Sequence, residues 1–131
     1  MLVFVPLSPA ALRGLPTGAP LRDVPAWAAT PAFMAGLDLT PGDRDDQEVA
    51  EHEALTRAAD EGRERHGVGL LAVAQAEFTE YEAGRGTAPH VAWPAVTSFF
   101  AEDPADGALM WFDRTELGRT FTLEPDEDGA P

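Results

Sequence analysis

The sequence contains no cysteine and no lysine. Without cysteine, disulfide bonds, thiolate metal sites and cysteine nucleophiles are excluded. All nine basic residues are arginine, a bias that is typical of coding in high-GC bacteria, and they stand against 23 acidic residues. The net charge of -14 and the pI near 4.3 repel nucleic acid and anionic membranes. The partners that we expect are therefore a basic protein or a second copy of the chain.

The chain also lacks a long hydrophobic run. No window approaches the roughly 18 apolar residues of a membrane-spanning helix. The apolar start has no basic residue before it and is interrupted by Pro6 and Pro9, which makes it a poor signal peptide. We therefore expect a cytoplasmic protein. Its 131 residues, 44% of them hydrophobic, predict a single domain over residues 1–123 and a disordered acidic tail over residues 124–131.

One local pattern occurs twice near the start of the chain. The β-rich run Leu2–Pro6 is followed by Ser8 and Pro9, and the run "AWAA" is followed by Thr30 and Pro31. A hydroxyl residue favours the N-cap of a helix, and proline favours the first helical position. Each pair therefore predicts a place where a strand gives way to a short helix.

The longest predicted helix covers Asp45 to about Arg65. Acidic residues crowd its first turn and basic residues its last turn, as the helix dipole favours. Glu53 with Arg57, and Glu61 with Arg65, are ion pairs at i,i+4 in the favourable orientation. The apolar side of this helix is thin, and its small residues permit close approach to a sheet. It consists of Leu55, Ala58, Ala59 and Gly62.

The stretch "VGLLAVAQAEF" after Gly67 alternates in the way that predicts a strand emerging from a buried region. A helix through Leu71, Ala74, Phe78 and Tyr81 is the competing interpretation. The remaining segments predict loops at Leu15–Val24 and at residues 82–89, strands around residues 90–100 and 108–113, and a helical turn at residues 114–118.

These elements predict a mixed α/β (α+β) fold. We expect a four- or five-stranded mixed sheet with the long helix and one or two short helices packed on one face. The alternation of strands and helices in the first half favours crossover connections there, and the later strands favour an antiparallel portion.

Catalytic and metal signatures are weak. The helical His52 is followed four residues later by Thr56, so the second ligand of the zinc pattern H-E-x-x-H is missing. His66 lies about 21 Å further along the same helix, too far to share one ion. No G-x-S-x-G nucleophile motif and no phosphate-binding glycine frame is present. We expect no cofactor, no metal and no catalytic residues.

The tryptophans remain as candidate contact residues. Trp27, Trp93 and Trp111 each fall at or near the end of a predicted strand, with His90 close to Trp93 in sequence. They either fill the edge of the core or line a ligand pocket at one end of the sheet. The favoured hypothesis is a non-catalytic binding or regulatory domain that acts through protein contacts. The alternative is a small-molecule binder or weak hydrolase that uses these four residues.

Several short segments resemble an uncharacterised family of small actinobacterial proteins, a domain of unknown function. They are "VFVPLSPAAL", "WAATPAF", "DDQEVAEHEALTRAA" with the strand after it, and "LMWFDRTEL". The resemblance implies an intracellular α/β domain. It implies no activity and transfers no site residue.

Overall fold

A computed structural model describes residues 1–103 and 105–116 of the chain. Their strands are β1 (Leu2–Pro6), β2 (Leu21–Trp27), β3 (Leu70–Gln75), β4 (Thr79–Glu82), β5 (Arg85–Val91), β6 (Val96–Glu102) and β7 (Leu109–Asp113). The helices are α1 (Pro9–Gly14), α2 (Pro31–Gly36) and α3 (Arg44–His66), with 3-10 turns at Leu15–Thr17, Trp93–Ala95 and Arg114–Glu116. The predicted acidic tail, residues 124–131, lies outside the described part.

All seven strands form one sheet in the order β4-β5-β2-β1-β3-β6-β7, and every neighbouring pair is antiparallel. The α+β class is therefore confirmed. The predicted count of four or five strands is too low, and the antiparallel pairing shows that the sheet is not mixed. α1 joins the antiparallel neighbours β1 and β2, whereas α2 and α3 lie in the connection from β2 to β3, which crosses β1. One of the expected crossover connections is therefore present. β1 lies in the middle of the sheet, where all but its first residue is buried.

The two hydroxyl-proline pairs do begin helices. The Ser8 hydroxyl accepts a hydrogen bond from the Ala11 N–H at the start of α1, and the Thr30 hydroxyl accepts one from the Phe33 N–H at the start of α2. Thr30 also donates a short hydrogen bond to the Glu80 carboxylate, so this cap is tied to β4.

The long helix α3 starts one residue before the predicted boundary and ends one residue after it. Asp43 caps its N-terminus, and Gly67 ends it in the left-handed conformation at a φ of 78°. Gly62 lies so close to the sheet that a Cβ there would be 3.0 Å from the Leu70 carbonyl oxygen. The small residues on this face of α3 thus let the helix pack tightly against the central strands.

Two segments that predict loops are strands in the structure. The second half of the predicted loop Leu15–Val24 begins β2, where Asp23 takes a φ of 50°. The glycine-rich residues 82–89 turn and return as β5, with Glu82 paired to Arg85 across the turn. Gly86 must lack a side chain there, because a Cβ would be 2.1 Å from the Thr79 carbonyl oxygen. The predicted strands β3, β6 and β7, and the helical turn after β7, are confirmed.

The core has two layers, one on each face of the sheet. On one face, α2 and α3 pack against residues including Phe4, Leu71 and Val73. On the other face, α1 and the turn after it bury Leu12 and Leu15. The short helices therefore lie on opposite faces, whereas a single helical face was expected. No helix in the described part of the chain is long and apolar enough to cross a membrane.

Candidate functional site

A buried carboxylate joins α3 to the sheet. Glu61 is 7% exposed, although its neighbours in sequence on the last turns of α3 are mostly exposed. Its Oε1 accepts a hydrogen bond from Trp27 Nε1 at 3.0 Å and lies 3.3 Å from an Arg85 amino group, while its Oε2 accepts from Arg65 Nε at 2.7 Å. Glu61 thus connects α3 with β2 and β5.

The local sequence of each element explains this meeting. Ala54, Ala58 and Glu61 follow one another at i, i+4 and i+7, so they share the face of α3 that packs on the sheet. Trp27 and Arg85 are direct partners in the β2–β5 ladder, so their side chains stand on the same face. That face is the one covered by α3.

Arginine and aromatic side chains pack beside Glu61. The Arg57 guanidinium lies 5.8 Å from the Trp27 ring centroid and 5.0 Å from that of Phe33, and Arg85 lies 5.7 Å from the Trp27 centroid. Phe33 meets Trp27 edge to face. These contacts at cation–π distance hold two arginines against an apolar wall.

An open pocket of about 420 Å³ lies over this cluster. Its lining residues are Trp27, Arg57, Asp60, Glu61, Glu64, Arg65 and Arg85; we call it the arginine pocket. One third of the nine basic residues therefore line one pocket of a chain whose net charge is -14. The local charge balance is neutral there, with three arginines against three carboxylates.

Several arginine donors in the pocket are unused by the protein. Arg57 Nε donates to Glu53 at 3.0 Å and Arg65 Nε to Glu61, yet no partner within residues 1–103 and 105–116 bonds to the terminal amino groups of either side chain. Arg85 Nε is buried and has no hydrogen-bond partner among these same residues. Asp60, in contrast, is engaged by Arg63, whose pKa is raised above its ordinary value by hydrogen bonds to Glu102 and Asp60.

No protein-family model, curated protein or solved structure matches the chain. The resemblance to the actinobacterial family thus stays a prediction.

The structure does not bring the four predicted contact residues together. Trp27 lines the arginine pocket, whereas Trp93 stacks on Phe99 in the core of the other face, with ring centroids 5.9 Å apart. Trp111 is 59% exposed on β7, at the edge of the sheet. His90 is exposed on β5 opposite Arg22, five residues and therefore about 17 Å along the ladder from the pair at Trp27. A pocket shared by the three tryptophans is consequently not formed.

The sequence predicts the Glu61–Arg65 ion pair but not the burial of Glu61 against the sheet. The signal that could have located the site is the position of Glu61 on the alanine face of α3, because a carboxylate on a buried face requires a cationic partner. That Arg85 supplies one depends on the β2–β5 pairing, which no local pattern indicated. As for metals, the described residues contain no group of three or more histidines and carboxylates that could hold an ion.

Proposed function

We propose that this protein is a non-catalytic binding domain of the cytoplasm, and that its ligand is a small molecule whose carboxylate or phosphate group enters the arginine pocket. The observation that carries the proposal is the convergence of Arg57, Arg65 and Arg85 on one open pocket in a strongly acidic chain. The net charge of the rest of the chain repels anions, so an anion is attracted to the protein only where these arginine side chains come together.

The guanidinium groups suit an anionic group. Each carries five donors in a planar fork that matches two carboxylate or phosphate oxygens. The Nε group of Arg57 is bound to the Glu53 carboxylate of α3, which fixes the position of that fork while its amino groups stay available. Such preorganisation reduces the entropic cost of binding.

The size and the acidic lining restrict the ligand further. A volume of about 420 Å³ lies within the range of roughly 300–1,000 Å³ found for small-molecule sites. Asp60 and Glu64 also line the pocket, and they repel a ligand with many negative charges. A compound with one anionic group fits this balance better than a polyphosphate.

The three indole N–H groups provide a direct test. In an NMR titration with acetate or inorganic phosphate, the Trp27 indole resonance should shift, because its N–H bonds to Glu61 in the pocket. The Trp93 and Trp111 resonances should stay in place, since both side chains lie outside the lining. Tryptophan-to-phenylalanine variants assign the three signals.

Arginine variants provide the matched control. Arg85→Met should abolish the shift at Trp27, whereas Arg22→Met, at the far end of the same pair of strands, should leave it unchanged. Equal shifts of all three indoles, or a shift that survives Arg85→Met and Arg57→Met alike, would refute the proposal.

A second candidate function rests on the edge strand β7. Met110 and Trp111 are 38% and 59% exposed on this strand, which has only β6 beside it within the described residues. Exposed apolar side chains on a sheet edge favour contact with another protein, here a basic protein or a second copy. Light scattering and salt-dependent pull-down with Trp111→Ser test it; unchanged mass and unchanged binding would count against it.

A further inference from the structure

The two central strands β1 and β2 separate after a single pair. Phe4 pairs with Trp27, and an antiparallel ladder continued from there would place Pro6 opposite Pro25 and Leu7 opposite Val24. Proline has no N–H group, so two prolines facing each other cannot supply a donor to the ladder. The sequence thus ends the pairing of β1 with β2 at this point.

A cavity of about 160 Å³ occupies the gap. Its lining residues are Pro6, Leu7, Ser8, Ala11, Leu21, Val24, Pro25, Arg65 and His66; we call it the proline slot. The four residues of the two unformed pairs, Pro6 with Pro25 and Leu7 with Val24, are among them. The wall is mainly apolar and is formed by both strands, α1 and the C-terminal end of α3.

The backbone conformation of β2 directs two apolar side chains, Leu21 and Val24, to the same side of the strand. Leu21 and Val24 both pack against the core layer of α1, although residues three apart on a regular strand face opposite sides. Asp23, with its positive φ of 50°, lies between them and interrupts the alternation. As a result both side chains line the slot.

Arg65 belongs to the slot and to the arginine pocket. Its side chain is 48% exposed and its Nε is bound to Glu61. The apolar proline slot and the arginine pocket therefore share the Arg65 side chain as a common wall. This juxtaposition matches a molecule that has an anionic head and an apolar chain.

We propose that the ligand is a short-chain amphipathic anion whose head binds in the arginine pocket and whose apolar chain fills the proline slot. This inference rests on the proposed function and specifies its ligand class. At about 30 Å³ for each water-sized group, 160 Å³ accommodates a chain of about five carbon atoms. Longer chains must leave their additional carbons in water.

The test is a series of straight-chain carboxylates from acetate to octanoate, titrated into the full chain and followed at the Trp27 indole. Each added methylene should tighten binding roughly fourfold while the slot fills, and the gain should stop after about five carbons beyond the head. Contacts between the terminal methyl group of hexanoate and the methyl groups of Leu21 and Val24 should appear as intermolecular NOEs.

Variants that fill the slot provide the control. Ala11→Leu and Val24→Phe should each remove the gain in affinity from longer chains, so that hexanoate binds no more tightly than acetate. Ala10→Leu, an exposed position beside Ala11 on the same helix, should behave like the wild type. Two slot variants guard against the misfolding of either one.

The outcomes separate the two proposals. If no carboxylate shifts the Trp27 indole, the proposed function fails and this inference fails with it. If acetate binds in an Arg85-dependent way but affinity is flat across the series, only the inference is overturned. A length dependence that persists in both Ala11→Leu and Val24→Phe also overturns it, since the chain then lies elsewhere.

Discussion

Replacing Glu61 with glutamine should move stability and ligand affinity in opposite directions. The substitution keeps an oxygen that can accept from Trp27 Nε1, but it removes the negative charge that holds Arg65 and Arg85. The protein loses the ion pair that connects α3 to the sheet, and Arg65 and Arg85 become available to bind an anion from solution.

The cost in stability follows from the exposure of the three groups. Breaking a fully buried ion pair costs about 3–5 kcal/mol, whereas exposed pairs contribute about 0–1 kcal/mol. The Glu61 side chain is 8% exposed, but Arg65 and Arg85 are 48% and 31% exposed, so water screens both interactions. We therefore expect the free energy of unfolding to fall by about 1–2 kcal/mol, between the two limits.

The affinity for an anion should rise by the removal of a competitor. In the native protein the Glu61 carboxylate occupies the Nε of Arg65 and neutralises part of the charge of both arginines. Without it, we expect acetate to bind roughly three- to tenfold more tightly, which corresponds to about 0.7–1.4 kcal/mol. If Glu61 had a purely structural role, the Glu61→Gln substitution would not raise the affinity for acetate.

Urea denaturation measures the first effect and an NMR titration of the Trp27 indole measures the second. Glu48→Gln is the matched control, because it makes the same change in net charge on the same helix about 20 Å away at an exposed position. If Glu61→Gln is as stable as Glu48→Gln, the cluster does not hold α3 to the sheet. If its anion affinity equals that of the control, Glu61 does not compete for the arginines.

The other predictions concern the core and the helix cap. Phe99→Ala should lower the free energy of unfolding by about 3–5 kcal/mol, because Phe99 is fully buried and stacks on Trp93; a loss below about 1.5 kcal/mol in urea denaturation would contradict this packing. Thr30→Ala should cost about 1–2 kcal/mol by removing the cap of α2 and the bond to Glu80, while Thr30→Ser should cost less because it retains the hydroxyl; equal melting temperatures for the two variants would show that the hydroxyl is unimportant.

The parts of the fold that could be predicted are those governed by local chemistry. The hydroxyl-proline pairs at Ser8 and Thr30 act within three residues, and the charge gradient of α3 acts within its own terminal turns. The buried strands near Leu71 and Phe99 are short and largely apolar runs, which can be recognised from their own residues. In each case the interactions that determine the structure are close in sequence.

The β4–β5 hairpin could not be predicted in this way. All four residues of β4 are exposed, so the strand has no apolar alternation, and Gly84, Gly86 and Pro89 are typical of a loop. Pairing with β2 stabilises β5, and that partner lies more than 50 residues earlier in the chain. The same long-range pairing places Arg85 beside Trp27, which is why the candidate site was missed together with the hairpin.

The central position of β1 has a consequence for folding during synthesis. Leu2 pairs with Gln75, so β1 waits during synthesis for a partner strand that is made some 70 residues later. At roughly 5–20 residues per second this delay lasts several seconds. During that time a segment that is almost wholly apolar stays without its final neighbour. Polar substitutions at Val3 and Val5 in β1 should therefore reduce chaperone binding to nascent chains more than polar substitutions in a later strand.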